Sequence, residues 1–120
     1  MTDLIDIAPI HGPMSPTICL GKAGPGLVST CLTAPDRSED VAGQTRQILD
    51  VIDGHLASVG SGRDRVLMVQ IWLGDMADLD AVRTVWNAWV DSAAAPALSI
   101  VQAPAFRPDS RVEIRAYAAR

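Results

Sequence analysis

The sequence predicts an α+β domain in which two helices pack against one face of a mixed β-sheet. Two segments carry apolar residues at helical spacing, several short segments are rich in β-branched residues, and the last segment alternates apolar and polar residues. Elements with one apolar surface are stable when those surfaces face each other, and two layers achieve this economically. With 120 residues, the chain is expected to form a single domain, residues 1–120.

The first third of the chain predicts loops and then a strand. Residues 12–26 are rich in Gly and Pro, which indicates loops and short edge strands. The segment LVSTCLT (27–33) mixes β-branched and apolar residues and therefore predicts a strand. Pro35-Asp36 marks a turn after it.

Residues 40–59 predict the first helix, because apolar side chains recur there every three or four residues. Ser38 or Asp40 is expected to cap its start, and Gly60 and Gly62 to end it. The predicted buried stripe consists of Thr45, Ile48, Leu49, Ile52, Leu56 and Val59.

The second half predicts strand, helix, strand and strand. Residues 65–73 are apolar almost throughout, which favours a central strand covered on both faces. Residues 78–91 predict a helix, and residues 98–103 a strand. Residues 111–117 (RVEIRAY) alternate cleanly, with Glu113 on the polar side. The helix is expected to bury Leu79, Val82, Trp86, Trp89 and Val90. Few residues remain to cover the second face of the sheet, so other subunits are candidates.

The composition narrows the possible partners. The net charge is −4, Lys22 is the only lysine, and no basic stripe occurs, so nucleic acid and anionic membranes are not expected partners. The N-terminal segment lacks the basic start of a signal peptide and no apolar run reaches about 20 residues, which favours a cytoplasmic protein. Cys19 and Cys31 are expected to be free thiols. No metal-ligand spacing or phosphate-binding loop occurs.

Three segments in order resemble the YjgF/RidA (enamine/imine deaminase) family. They are VAGQTRQILDVIDGHLASVG (41–60), IWLGDMADLDAVRTVWNAWV (71–90) and APALSIVQAPAFRPDSRVEIRAYAA (95–119). The Trp-x-Ala-Trp run of the second segment resembles the YoaB-like members. The resemblance implies a chorismate-mutase-like fold and a homotrimer with a central barrel and three clefts between subunits. It also implies hydrolysis of enamines or imines such as 2-aminoacrylate to a 2-keto acid and ammonia, with neither metal nor organic cofactor.

The chain departs from the family in the implied cleft. Leu98 stands where the family has the arginine that clamps the substrate carboxylate, and leucine donates no hydrogen bond. Ile100 replaces a Cys or Thr, and Met14 replaces a Tyr after Gly-Pro. Glu113 is kept; in the family, a glutamate here positions or activates water. From the residues alone, an outward-facing Glu113 paired with Arg111 or Arg115 remains the alternative.

Three further residues are candidates for substrate binding. Arg83 replaces a family asparagine and is predicted at the edge of the second helix's buried stripe, where it could supply the missing clamp or form an interface salt bridge. Thr30 and Cys31 fall in the family's Ser-Gly-Gln strand. Cys31 is favoured as a structural thiol, since no histidine is near it in sequence, and His55 is expected to be a solvated helix residue.

Two classes of function remain open. The leading hypothesis is a cofactor-independent deaminase, or a hydrolase of a related C=N compound, in which Glu113 guides water and the substrate is not a simple 2-imino acid. The alternative is a non-catalytic trimer that binds an apolar small ligand. A pathway-specific enzyme for a bulkier cyclic or aromatic intermediate is a third reading, which the apolar residues Met14, Leu98 and Ile100 would suit.

Overall fold

The computed structural model describes residues 4–120, which form six strands and two α-helices. In chain order these are β1 (Ile5–Gly12), β2 (Ser15–Gly24), β3 (Leu27–Thr33), α1 (Val41–Ser58), β4 (Val66–Leu73), α2 (Leu79–Trp89), β5 (Ala97–Gln102) and β6 (Val112–Ala119). One sheet contains all six strands in the order β1-β2-β3-β6-β4-β5. Neighbouring strands are antiparallel except β4 and β5, which are parallel and joined through α2. The predicted mixed sheet is therefore confirmed.

Helix α1 begins and ends as its sequence predicts. The Asp40 side chain accepts a hydrogen bond from the Gly43 N–H at 2.8 Å, so Asp40 is the cap. Ser38 instead donates its hydroxyl to Asp36 at 2.6 Å. Beyond the helix, Gly60 takes a φ of +79°, which glycine adopts without strain. The stripe from Thr45 to Leu56 is buried as predicted.

Both helices pack on the same face of the sheet, as expected. Their buried side chains share one apolar core with the inward-facing residues of β4 and β6, among them Ile71 and Ile114, which are fully buried. The Trp86 and Trp89 rings of α2 lie 5.5 Å apart within that core. Burial of these aliphatic and aromatic side chains is the main source of stability in the fold.

The first two strands are much longer than the sequence suggested. Instead of loops and short strands, β1 and β2 form a hairpin of 8 and 10 residues. Gly21 lies inside β2 because the neighbouring strands leave no room for a side chain there. A Cβ at this position would lie 3.1 Å from the Ser29 carbonyl oxygen and 3.2 Å from the Ile7 Cβ. Glycine thus permits close approach of three strands rather than marking a loop.

No helix or second sheet formed by residues 4–120 covers the other face of the sheet. The principal axes measure 46 × 43 × 19 Å, so the chain is a thin slab of one sheet and one helix layer. Strand β4 was expected to be covered on both faces, but Met68 is 41% exposed and Gln70 and Trp72 are half-buried. We call this uncovered side, which carries Ser29, Cys31, Gln70, Trp72, Glu113, Arg115 and Tyr117, the open face. No helix within residues 4–120 is long and apolar enough to cross a membrane.

Candidate functional site

A groove of about 380 Å³ runs along the open face over β2, β3 and β6. Its walls include Ile18 and Leu20 of β2, and Phe106 from the loop before β6 borders it. Its polar lining residues include Cys31, Glu113 and Arg115, which we call the polar floor. The volume lies within the usual range for small-molecule sites.

Strand alternation and register bring the polar floor together. Side chains of β6 alternate between the core and the open face, which places Glu113 and Arg115 on the open face. On β3, Cys31 lies opposite Arg115 and Thr33 lies opposite Glu113. Residues separated by 82 positions, Cys31 and Glu113, thereby come into contact.

The Cys31 thiol donates a hydrogen bond to Glu113. Cys31 Sγ lies 3.4 Å from Glu113 Oε2. Burial raises the pKa of Cys31 from 9.0 to about 11; Arg115 opposes this shift, and the Glu113 carboxylate adds to it. A thiol with this pKa is protonated at neutral pH, so it orients the carboxylate and is a poor nucleophile.

Arg115 is held in place without a carboxylate partner. Its Nη1 donates to Ser29 Oγ at 3.0 Å, and its guanidinium carbon lies 5.8 Å from the centre of the Tyr117 ring. Within residues 4–120, no carboxylate lies within 4.0 Å of its nitrogens. Arg111 pairs with Asp78 at 2.7 Å. Neither arginine forms an ion pair with Glu113, so that alternative for Glu113 is not realised.

Thr30 lies on the helix face, outside the groove. It is fully buried, and its Oγ1 is 2.8 Å from Nδ1 of His55 on α1. Because successive strand residues point to opposite faces, Thr30 and Cys31 cannot both face the groove. His55 is therefore not the solvated residue that was expected: it is half-buried, and this burial lowers the pKa of its imidazole.

The remaining candidates are also outside the groove of the same chain. Leu98 and Ile100 lie opposite Val69 and Ile71, so they face the helix layer, and their strand is separated from β6 by β4. Arg83, on α2, bonds Asp80 at 2.7 Å and is exposed. Met14 lies in the turn between β1 and β2 and is 90% exposed. Their part in a binding site stays a prediction, and Leu98 could approach a groove only at a subunit interface.

Two features of the site had no clear signal in the sequence. The sequence indicates Arg115 only as a possible partner for Glu113, because its position beside Cys31 depends on the β3–β6 register. Gln44 is fully buried and joins the start of α1 to the start of β6: its amide donates to the Glu39 carbonyl at 3.0 Å and accepts from the Arg111 N–H at 3.0 Å. It thus fixes the strand that carries Glu113.

Residues 4–120 contain no group of three or more His, Cys, Asp or Glu side chains placed to hold a metal ion.

Comparisons with known proteins identify the family. The family model described as Endoribonuclease L-PSP matches residues 29–120. The RutC family protein YoaB of Escherichia coli is 38% identical over 80 residues, which cover 67% of this chain and 70% of YoaB. A RutC family protein of Haemophilus influenzae is 38% identical over 71 residues, 59% of this chain, and the match spans only 61% of that relative's length.

Solved structures agree with this assignment. A YjgF-family protein of Neisseria meningitidis superimposes with a TM-score of 0.87 at 32% identity, over 99% of this chain and 96% of that one. An uncharacterized protein of Pseudomonas aeruginosa gives a TM-score of 0.83 at 36% identity, over 86% and 90%. The chain belongs to the YjgF/RidA family, as its sequence motifs predicted.

Proposed function

We propose that this protein is a cofactor-independent hydrolase of C=N bonds, a deaminase of enamines or imines, that works in the open-face groove. The observation that carries this proposal is the Glu113 carboxylate, which is half-buried, oriented by a neutral thiol 3.4 Å away, and free of any ion pair within residues 4–120. A carboxylate in this condition is suited to accept a proton from water.

The proposed reaction needs only acid–base chemistry. An enamine first tautomerises to its imine by moving one proton from nitrogen to carbon. Glu113 then takes a proton from water as the oxygen bonds to the imine carbon, and the nitrogen gains that proton. The resulting carbinolamine loses ammonia and leaves a ketone or keto acid. Water supplies every added atom, and no oxidant or metal is required.

The groove is proposed to be completed by a neighbouring copy in a homotrimer. The open face exposes large apolar side chains on three strands, namely Leu27, Met68 and Val101, at 45%, 41% and 42%. Such surface favours association. In an assembly of this kind, Leu98, Ile100 and Met14 of one chain can border the groove of another. They would make it more apolar than in relatives with the clamping arginine, so the proposed substrates are imines with bulky apolar groups rather than simple 2-imino acids such as the one formed from 2-aminoacrylate.

A non-catalytic ligand-binding trimer is the second candidate. The apolar residues Met14, Leu98 and Ile100 favour it.

The name of the family model suggests RNA cleavage as another activity. A chain with a net charge of −4 and one lysine attracts a polyanion only weakly, so we do not propose this activity.

Ammonia release tests the deaminase. An amino-acid oxidase generates imino acids from leucine and phenylalanine, and a pyridoxal-phosphate lyase generates 2-aminoacrylate; ammonia is followed with and without the protein. We expect acceleration with the bulkier imines and a roughly 10²- to 10⁴-fold slower rate for Glu113→Gln. Asp64→Asn removes an exposed carboxylate outside the groove and should leave the rate unchanged. Equal rates with and without the protein would refute the deaminase.

Leu98→Arg separates the two candidates. If the protein lost its activity together with the clamping arginine, the wild-type protein is inactive and Leu98→Arg hydrolyses small 2-imino acids.

Light scattering on the wild-type protein tests the trimer and should give the mass of three chains of 12.7 kDa each. A monomer at micromolar concentration would contradict the shared groove.

A further inference from the structure

The groove is cationic although the chain as a whole is acidic. Among residues 4–120, its lining contains Lys22, Arg107 and Arg115 but only one carboxylate, Glu113, in a chain with a net charge of −4. Local charge opposite to the net charge concentrates a ligand of the complementary sign. An anionic ligand is therefore favoured.

Arg115 is the cation best placed to hold that anion. Lys22 is already paired with Asp6 at 2.8 Å, and both groups are exposed. Arg115 is half-buried and fixed by Ser29, and only one of its five N–H donors has a hydrogen-bond partner within residues 4–120. A planar guanidinium with free donors binds a carboxylate through two parallel hydrogen bonds.

The groove also has a direction. Ser29 and Lys22, which are cross-strand neighbours, lie at one end together with the Arg115 contact. Thr33 is four residues further along β3, about 13 Å at the rise of a strand. Glu113 lies opposite Thr33 at that second end. The groove is also lined by two exposed apolar side chains, Ile18 of β2 (41% exposed) and Phe106 (73% exposed). A ligand that matches this lining has an anionic group for Arg115 and an apolar part that contacts Ile18 and Phe106.

We propose that the groove binds carboxylates that carry an apolar tail, and that Arg115 is the residue that holds the carboxylate in place of the arginine missing at Leu98. This inference rests on the proposed function for the role of the ligand as substrate or product, but its binding can be tested separately. Arg115 and Glu113 share one face of β6, two residues apart, so the bound carboxylate and the attacking water lie on the same side of the sheet.

Calorimetric titration with three probes tests the ligand class. Phenylpyruvate has both a carboxylate and an apolar ring, pyruvate lacks the ring, and phenylacetone lacks the carboxylate. We expect phenylpyruvate to bind at least 10-fold more tightly than either of the others, because each of them lacks one of the two groups that the groove lining matches. Failure of the wild-type protein to bind phenylpyruvate in preference to the other two overturns the proposal.

Three arginine variants test the residue. Arg115→Gln should weaken phenylpyruvate binding roughly 10- to 100-fold, the loss of one charged hydrogen-bonding group. Arg46→Gln changes an exposed arginine of α1 and should not alter binding. Arg83→Gln tests the competing clamp on α2: loss of binding here, with binding retained in Arg115→Gln, overturns the assignment. Circular dichroism and the melting temperature confirm that each variant is folded.

The calorimetric titration and the ammonia assay test the two proposals separately. If phenylpyruvate binds in an Arg115-dependent manner but no imine is hydrolysed, the deaminase is refuted and the binding residue stands. If imines are hydrolysed and Arg115→Gln leaves KM unchanged, the deaminase stands and Arg115 is not the anion-holding residue.

Discussion

The two faces of the sheet differ sharply, and β6 shows the difference within eight residues. Val112, Ile114 and their alternate successors are fully buried beneath the helices, whereas Glu113, Arg115 and Tyr117 are half-buried on the open face. On the helix face, a substitution that alters side-chain volume disturbs the packing, because these side chains interlock with two helices. The other face carries a thiol, a carboxylate and a guanidinium, which no helix of the described part of the chain covers. Stability is concentrated on one side of a strand, and the groups capable of chemistry lie on the other.

Polar contacts also divide between the faces. On the helix face, the fully buried Thr30 hydroxyl is bonded to His55 Nδ1. On the open face, the contacts of Arg115 and Glu113 leave several donors and acceptors free. A buried polar pair supports the fold when it is satisfied, and a partly satisfied group in a groove is available for binding.

The largest expected difference between the faces is in stability. Ile71→Ala removes a fully buried side chain from the helix face of β4 and should lower the free energy of unfolding by about 2–5 kcal/mol. Gln70→Ala changes the adjacent open-face residue and should cost about 1 kcal/mol or less, because it loses only hydrogen bonds to the Ser99 and Ile71 carbonyls. Urea denaturation at one protein concentration compares the two. Similar losses would mean that the open face is as tightly packed as the core.

The next largest effect is expected in alkaline solution. Cys31 has a folded-state pKa of about 11 and an ordinary value of 9.0. Between these values the unfolded chain loses the proton and the folded chain keeps it, so stability falls as pH rises from about 9 to 11. Cys31→Ser has no titrating thiol at position 31, so its free energy of unfolding should decline less steeply with pH, measured by urea denaturation at each pH.

Cys31→Ser also keeps a hydroxyl donor to Glu113 and should keep most of the ammonia-releasing activity. Complete loss of activity would indicate a thiol nucleophile.

The smallest effect is expected on the acidic side, from the helix face. Burial lowers the pKa of His55 below 6.5, so the unfolded chain binds a proton that the folded chain resists. The stability due to neutral His55 is present above pH 6.5 and is lost as pH falls through the lowered value. His55→Gln can still form a hydrogen bond to Thr30, and its free energy of unfolding, measured by urea denaturation, should change less with pH between 6.5 and 5. The same dependence of this free energy on pH in both proteins would show that His55 does not resist protonation.

Local patterns were reliable wherever neighbours in sequence decide the structure. The stripe and the Asp40 cap of α1 follow from helical spacing and one short hydrogen bond. The alternation of β6 gave the correct two faces for the same reason. The sequence underestimates the length of the β1–β2 hairpin because glycine occurs both in turns and at close contacts between strands. Only the structure shows which applies to Gly21, since atoms of neighbouring strands lie 3.1–3.2 Å from where its Cβ would be.

By itself, then, the sequence determined the α+β class, both helices, the family and the importance of Glu113 as a candidate. Only the tertiary structure decided which residues accompany Glu113. Pairing of β3 with β6 joins segments more than 80 residues apart, and a shift of one residue would have exchanged Thr30 for Cys31 in the groove. Periodicity is a property of one segment, but register and strand order depend on packing between segments. Register placed Cys31 and Arg115 in the groove and Thr30 outside it, and strand order placed Leu98 outside it.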